Sequence, residues 1–464
     1  MIERGKAIAK WEDDIDRRLS LKENIAFYND TEDYIISKSL EKHYPGTHNS
    51  LKRYLTTYPL TRRIIDDVSL AFKEGLNVSV ESSGLNNLLT DILEKAELNG
   101  VLDKVDHLSN LLYKVGIAPV YRDGKVELDI ITPDNCFVEQ RSDDPTKITK
   151  LYVQTGIVED SPGKVETIRQ YTVYDDTYRW TAEVDSEDGS IIGNGDLVEH
   201  GMGRIPVVWF DTDKAIDSFW VNRSNSIVKA NKVIDTELTN FRMLLAYQAF
   251  SVFITSGLDE EVAFTLSPDT YINLPYNVTQ DNQPKAEFIT PDARLDEYWR
   301  VINDMIVDAA QSMGLSVVSY KRDASTFNSG YQLKLSKQDV IDRAKRNRVL
   351  YTRSIHELLT LIVKTHNLYE SNVFADNIEF VVDFPEFVID ANPRETADVD
   401  GMKLGMGLTS RVLLLMRDNP DLTRDQAIEA IKQIDIDNSL FPVYSDESSK
   451  DKNKNKDETK LEDL

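Results

Sequence analysis

Two closely spaced pairs of carboxylates, one cysteine, six scattered histidines and one run of cations are the residues of this chain whose types and spacing could do chemistry. Asp211-Thr212-Asp213 and Asp435-Ile436-Asp437 each set two hard oxygen donors one residue apart, as a divalent metal for phosphoryl chemistry would need. The first pair stands where a strand pattern gives way to a turn and the second where a helix pattern ends. Acids in such places ordinarily cap or solvate, so the expectation is no metal site. Cys136 excludes an internal disulfide and reads as a small buried apolar residue at a strand edge. His43, His48, His107, His200, His356 and His366 show no metal-ligand spacing. No Gly-rich phosphate loop ending in Lys and Ser or Thr occurs, and no Gly-x-Ser-x-Gly elbow. These readings predict a protein without catalytic residues or cofactor. A metal-dependent nucleic-acid-processing enzyme is the alternative that the carboxylate pairs keep open.

The cations carry a different chemistry. The net charge is −25, from 54 basic and 79 acidic residues, which opposes nucleic-acid binding by the surface as a whole. Yet Lys321, Arg322, Lys334, Lys337, Arg343, Lys345, Arg346 and Arg348 stand against only Asp323, Asp339 and Asp342, a cationic girdle in an acidic chain. Two readings stay open: a solvated helix face with acidic neighbours, or a light grip on phosphates. Lys321 and Arg322 are the preferred phosphate contacts, because a loop can follow a groove. Lys334 and Lys337 come next, with Arg343, Lys345, Arg346 and Arg348 as secondary candidates.

Long helices must position that girdle. Ile227, Ile234 and Phe241, with Leu238 and Leu245 between them, predict one helix from about Arg223 to Phe250. Pro268, Pro275, Pro284 and Pro291 then break Ser251 to Asp292 into short extended pieces, since proline lacks the donor that a helix or central strand uses. Leu295, Trp299, Ile302, Ile306, Ala309 and Met313 recur in steps of four and three, a second helix stopped at Gly314. Leu315 to Ser329 reads as a loop. From Tyr331, a third and much longer helix holds Val340, Ala344, Tyr351, Ile355, Leu358 and Ile362 on one face.

Before these helices the chain mixes classes. Ile8, Trp11, Ile15 and Leu19 mark a helix; another carries Leu60 to Phe72 and ends at Gly75 before a strand from Asn77 to Glu81. Leu85 to Ala96 and Leu102 to Val115 give two more. Ile117 to Arg122, an Asp123-Gly124 turn and Lys125 to Ile131 predict a hairpin, because Asp-Gly supplies positive φ. Leu151 to Val158, Val165 to Tyr174 and Tyr178 to Val184 read as continuing one sheet, with turns at Asp188-Gly189 and Asn194-Gly195, closed by the buried strand Gly203 to Phe210. Ile378 to Phe384 and Phe387 to Ile389 are expected to return to that sheet. Asn392-Pro393 starts a helix, and Thr423 with Gln426 forms a capping box for another carrying Ala427, Ile428, Ile431 and Ile434. Residues 445 to 464 read as disordered. The fold class is α+β. No apolar run reaches membrane-crossing length, and Met1 to Lys10 lacks a signal's apolar core, so the reading expects a cytoplasmic product with no membrane partner.

Three stretches together resemble the portal proteins of tailed bacteriophages, of the siphophage type. They are Ile130-Ile131-Thr132-Pro133-Asp134-Asn135 after the hairpin, Glu199-His200-Gly201-Met202-Gly203-Arg204-Ile205-Pro206-Val207-Val208 before the first long helix, and Met313-Gly314-Leu315 through Asn328-Ser329-Gly330 into the third. The similarity runs from about residue 20 to 437 and lies in the order of these stretches. The resemblance implies a portal fold: an N-terminal wing over 1–221, a first stem helix over 222–250, a β-containing clip over 251–292, and a second stem helix over 293–314. It continues with a tunnel loop over 315–330, a long supporting helix and return strands over 331–391, a helical crown over 392–444 and the tail. It also implies a homo-oligomeric ring of roughly twelve subunits closed by cyclic symmetry at a capsid vertex of a virion. Its partners would be double-stranded DNA in the channel during packaging and ejection, terminase, head-completion or adaptor proteins, and capsid or scaffolding protein, with host cytoplasm as the place of assembly. A non-portal helical scaffold protein remains a third reading, and it leaves the β-rich half unexplained.

Overall fold

The computed structural model describes residues 4–159, 167–185, 191–221, 224–249, 252–256, 285–289, 294–316, 320, 330–370, 373–375, 378–387, 393–419 and 422–440. The tunnel-loop cations Lys321 and Arg322, the Asp188-Gly189 turn, most of 251–292 and the tail lie outside the described residues. The chain divides into two compact units, Met1–Val388 and Ile389–Leu464.

The first unit opens with helices α1 (Arg4–Tyr28), α2 (Asp33–His43), the short α3 (His48–Leu51) with a 3-10 turn at Lys52–Tyr54, and α4 (Leu60–Val68). Neither α2 nor α3 is apparent in the sequence pattern, and α4 stops at Val68 rather than running to Phe72. Gly75 still ends the region, at φ +77. β1 (Asn77–Val80) leads to α5 (Ser83–Lys95) and α6 (Leu98–Leu112), then to β2 (Lys114–Arg122) and β3 (Lys125–Ile131). That hairpin turns on Asp123 at φ +50 and Gly124 at φ +79, the left-handed pair that a two-residue hairpin demands.

The β-rich half forms two sheets where one was expected. β10 (Val208–Asp211) pairs with β2 in a three-stranded sheet ordered β10-β2-β3. A separate sheet runs β4 (Cys136–Gln140), β5 (Ile148–Glu159), β6 (Thr167–Tyr174), β7 (Tyr178–Asp185) and β8 (Ile191–Asn194), with β9 (Val198–Glu199) also on β7. The break falls at Thr132 to Asn135, where Pro133 offers no ladder donor. The return strand also differs from expectation: β13 (Phe380–Asp383) pairs antiparallel with β1, Val80 opposite Phe380, and not with the large sheet. Phe387 is not in a strand.

α7 (Ser226–Ala249) and α8 (Leu295–Gln311) pack as a helical pair joined through the two-stranded β11 (Val252–Ser256) and β12 (Lys285–Ile289). Phe241 of α7 stacks on Tyr298 of α8 with ring centroids 5.8 Å apart and lies 5.4 Å from Trp299. Ile302, Ile306 and Ala309 are buried along the predicted stripe, whereas Leu245 of α7 is exposed. The long helix α9 (Gly330–Tyr369) buries all six apolar residues that its periodicity singles out, against α4, β2, β3, β10 and β13.

The second unit holds α10 (Pro393–Gly405), α11 (Arg411–Asp418) and α12 (Arg424–Leu440). The capping box is made: the Thr423 N–H donates to Gln426 Oε1 at 2.9 Å and the Gln426 N–H to Thr423 Oγ1 at 3.4 Å.

Candidate functional site

The stretch that could meet a polyanion runs from the end of α8 through residues 315–330 into α9. Lys334 and Lys337 lie on α9, and their side chains fall outside the described residues, as do Lys321 and Arg322. The other four cations separate into three kinds. Lys345 and Arg346 are exposed on α9 and open to a partner. Arg343 is half-buried and donates to the Met313 carbonyl at 3.3 Å, tying α9 to the end of the α8 segment; burial holds its pKa below the usual value, against the attraction of Asp106. Arg348 is a correction. Its guanidinium is buried, donates to the carbonyls of Ala71 and Pro385 at 2.8 Å each, and lies 4.0 Å from the Phe387 ring centroid. Those carbonyls and that ring fix it between the residues after α4 and those after β13, so it has no face for a phosphate.

The carboxylates do not converge on a metal. Asp211 pairs with Lys114 at 3.3 Å across the β2–β10 ladder. Asp213 accepts from the Lys214 N–H at 2.9 Å, Asp435 pairs with Arg411 at 2.8 Å, and Asp437 accepts from Gln433 at 3.1 Å. Among the described residues no group of three or more His, Cys, Asp or Glu could hold a metal ion. Cys136 is fully buried, and burial pushes its thiol up to about 12, which leaves almost no thiolate for nucleophilic chemistry at neutral pH.

What the periodicity missed is a polar seam on α7. Asn231, Asp235 and Thr239 are all fully buried, spaced by four on one face. They zip α7 to the segment ahead of α4 and to the first turn of α4 itself. The Thr61 N–H donates to Asn231 Oδ1 at 2.8 Å, the Tyr58 N–H to Asp235 Oδ1 at 2.9 Å, and the Thr56 N–H to Thr239 Oγ1 at 3.1 Å. A second buried network lies under α9: Tyr351 donates to Asp106 Oδ1 at 3.0 Å, and the Ala71 N–H donates to Asp106 Oδ2 at 2.9 Å. The two networks anchor α7 and α9 to the body.

Asp235 gives the seam a pH dependence. Burial, with Glu32 and Asp33 nearby, raises its pKa to about 8, against hydrogen bonds from Tyr58 and Asn231. An unfolded Asp titrates near about 3.9, so the folded state keeps a proton that the unfolded state has released. The contribution to stability is complete below that lower value, falls as pH rises, and is lost above about 8. Asp235→Asn is therefore expected to flatten the fall in melting temperature between mildly acidic and mildly alkaline buffer. An unchanged slope would contradict this reading.

Across known proteins, a family described as phage portal protein, SPP1 Gp6-like, matches residues 46–439 of this chain. Among solved structures, a virion of a native gene transfer agent particle and the neck of an empty particle of the same kind, computed with C6 symmetry, are similar to it. Each is 12% identical, covers 78% of this chain and 90% of that chain, and has a TM-score of 0.40. No curated protein matches.

Proposed function

The chain belongs to the SPP1 Gp6-like family of phage portal proteins, and from that premise we propose that its copies close into a ring around a channel for double-stranded DNA at a capsid vertex. The family is structural, and the role is mechanical: to admit DNA during packaging, retain it and release it. The observation that carries the reading is the span of the family match, 46–439, which takes in the α7–α8 pair, the segment between them and α9. On this reading α7 and α8 are the stem, residues 251–292 the clip, 315–330 the tunnel loop, α9 its support, residues before 222 with β13 the wing, and α10 to α12 the crown. The ring holds roughly twelve subunits in cyclic symmetry. The clip faces terminase and, later, head-completion or adaptor proteins; the wing faces capsid or scaffolding protein. Assembly takes place in host cytoplasm, and the finished ring resides in the virion.

The charge distribution suits a conduit. Every phosphate neutralised by a fixed cation adds affinity that must be broken before the duplex can slide. A protomer of net charge −25 repels the duplex from most of its surface, and a few cations at the loop hold it lightly. Lys321→Ala with Arg322→Ala is therefore expected to leave the ring intact and to change packaged DNA length or retention, read as nuclease-protected DNA per particle. Unchanged length and retention would remove the loop pair as a DNA contact.

A further inference from the structure

We infer that one protomer's cationic corner, formed by α2 and the 3-10 turn after α3, docks on the acidic flank formed by α5, β1 and β13 of a second copy of this chain. The inference deepens the ring reading and rests on it. Between Lys38 and Arg53 the single acid is Glu41, while Lys38, Lys42, Lys52 and Arg53 are all exposed and His43 and His48 lie among them. Lys38 sits 4.5 Å over the Tyr34 ring, and Lys42, Lys52 and Arg53 make no ion pair among the described residues. In a chain with so large an acidic excess, a stretch from Lys38 to Arg53 in which four cations face one carboxylate is the unusual surface.

The complementary surface lies elsewhere on the same unit. Glu94 at the end of α5, Glu379 ahead of β13 and Asp383 at its end are exposed and make no ion pair among the described residues. Between α5 and β1 runs a cleft whose floor is Leu76, Val78, Leu93 and Leu98, with Glu94 and Glu97 at its lip. The corner's elements pack on α7, and the flank's pack on α6 and α9; α4 touches α6, α7 and α9. Among the described residues no ion pair joins Lys42, Lys52 or Arg53 of the corner to Glu94, Glu379 or Asp383 of the flank, so within one protomer the two surfaces leave each other's charges unpaired. Surfaces of opposite charge on different parts of one chain make a heterologous contact, which closes rings when the rotation fits. Each also exposes apolar side chains, Tyr34 at 66% and Tyr44 at 38% on the corner and Val381 at 56% on the flank. An interface needs such a centre inside its polar rim.

Two charge-reversed proteins test this. The first carries Lys42→Glu, Lys52→Glu and Arg53→Glu; the second carries Glu94→Lys, Glu379→Lys and Asp383→Lys. All six sites are exposed, so both proteins should melt near the wild type. Each alone is expected to need about tenfold or more the wild-type concentration for half-assembly, measured by sedimentation. Mixed in equal amounts they are expected to form rings again, because in an alternating ring each reversed, acidic corner meets a reversed, basic flank and each normal corner a normal flank. Rings from either protein alone at wild-type concentrations, or no rings from the mixture, would overturn the docking. Normal rings with lost binding of labelled duplex would reassign the corner to nucleic acid. Failure of the wild type itself to form rings would instead strike the ring reading.

Discussion

Ile302→Asp is expected to yield no soluble ring and little folded protomer. Ile302 is 1% exposed in the middle of α8, within the stripe that packs against α7. An aspartate there loses the isoleucine's contacts and must either bury a charge or hold a proton, with no donor placed for it, a change in the class that costs more than about 4 kcal/mol. Ile302→Val removes one methyl from the same place and should cost about 1 kcal/mol with rings retained. The neighbouring Val301 is 56% exposed, so Val301→Asp should leave the protomer's melting temperature close to that of the wild type. Size-exclusion profiles and thermal melts of the three variants read the helical face directly. Equal damage at 301 and 302, or normal rings from Ile302→Asp, would mean that α8 presents another face to α7.

Lys114→Met should be comparably destructive for an electrostatic reason. The Lys114 ammonium is buried between Asp211, 3.3 Å away, and the Phe219 ring, whose centroid is 3.9 Å away. Burial lowers the Lys114 pKa and raises that of Asp211, and in each case the partner's charge acts the other way. Such a pair adds little net stability, but removing one member strands the other charge, at a cost of about 3–5 kcal/mol. Lys114→Met with Asp211→Leu removes both charges and should recover most of the loss. In the single variant burial keeps the Asp211 pKa raised with only the exposed Lys214 left to oppose it, so the penalty should shrink as pH falls and the carboxyl takes up a proton. Denaturant unfolding of the single and double variants across pH checks all three statements. A single variant as stable as the wild type would show that Lys114 and Asp211 do not depend on each other.

The parts of this fold that could be read from sequence are those governed by local periodicity. On α9 the apolar face from Val340 to Ile362 is buried at every named position, and on α8 Ile302, Ile306 and Ala309 are buried while Leu295, Trp299 and Met313 of the same stripe are half-buried. Asp123-Gly124 and Thr423 with Gln426 were legible because a turn or a cap is closed by residues a few positions apart. Long-range pairing was not. Asn231, Asp235 and Thr239 look like the solvated face of α7, since their partners at Thr56, Tyr58 and Thr61 lie far away in the sequence. A strand pattern marks β10 and β13 without naming their neighbours, so the hairpin with β10 and the large sheet read as one, and β13 was expected there rather than on β1. Arg348 resembled its cationic neighbours because nothing local distinguishes a guanidinium held by the Ala71 and Pro385 carbonyls from one in solvent.

Of the candidate contacts, Lys345 and Arg346 keep exposed side chains, Arg343 is partly committed to Met313, and Arg348 is enclosed. The preferred pair, Lys321 and Arg322, rests on the loop's place between α8 and α9 and on the family's architecture.

Electron microscopy of the purified protein, with class averages viewed down the particle axis, meets the central claim head-on. The account predicts closed rings of identical subunits around an opening wide enough for a duplex. A compact 52.9 kDa monomer without an aperture, at every concentration and within assembled particles, would contradict it.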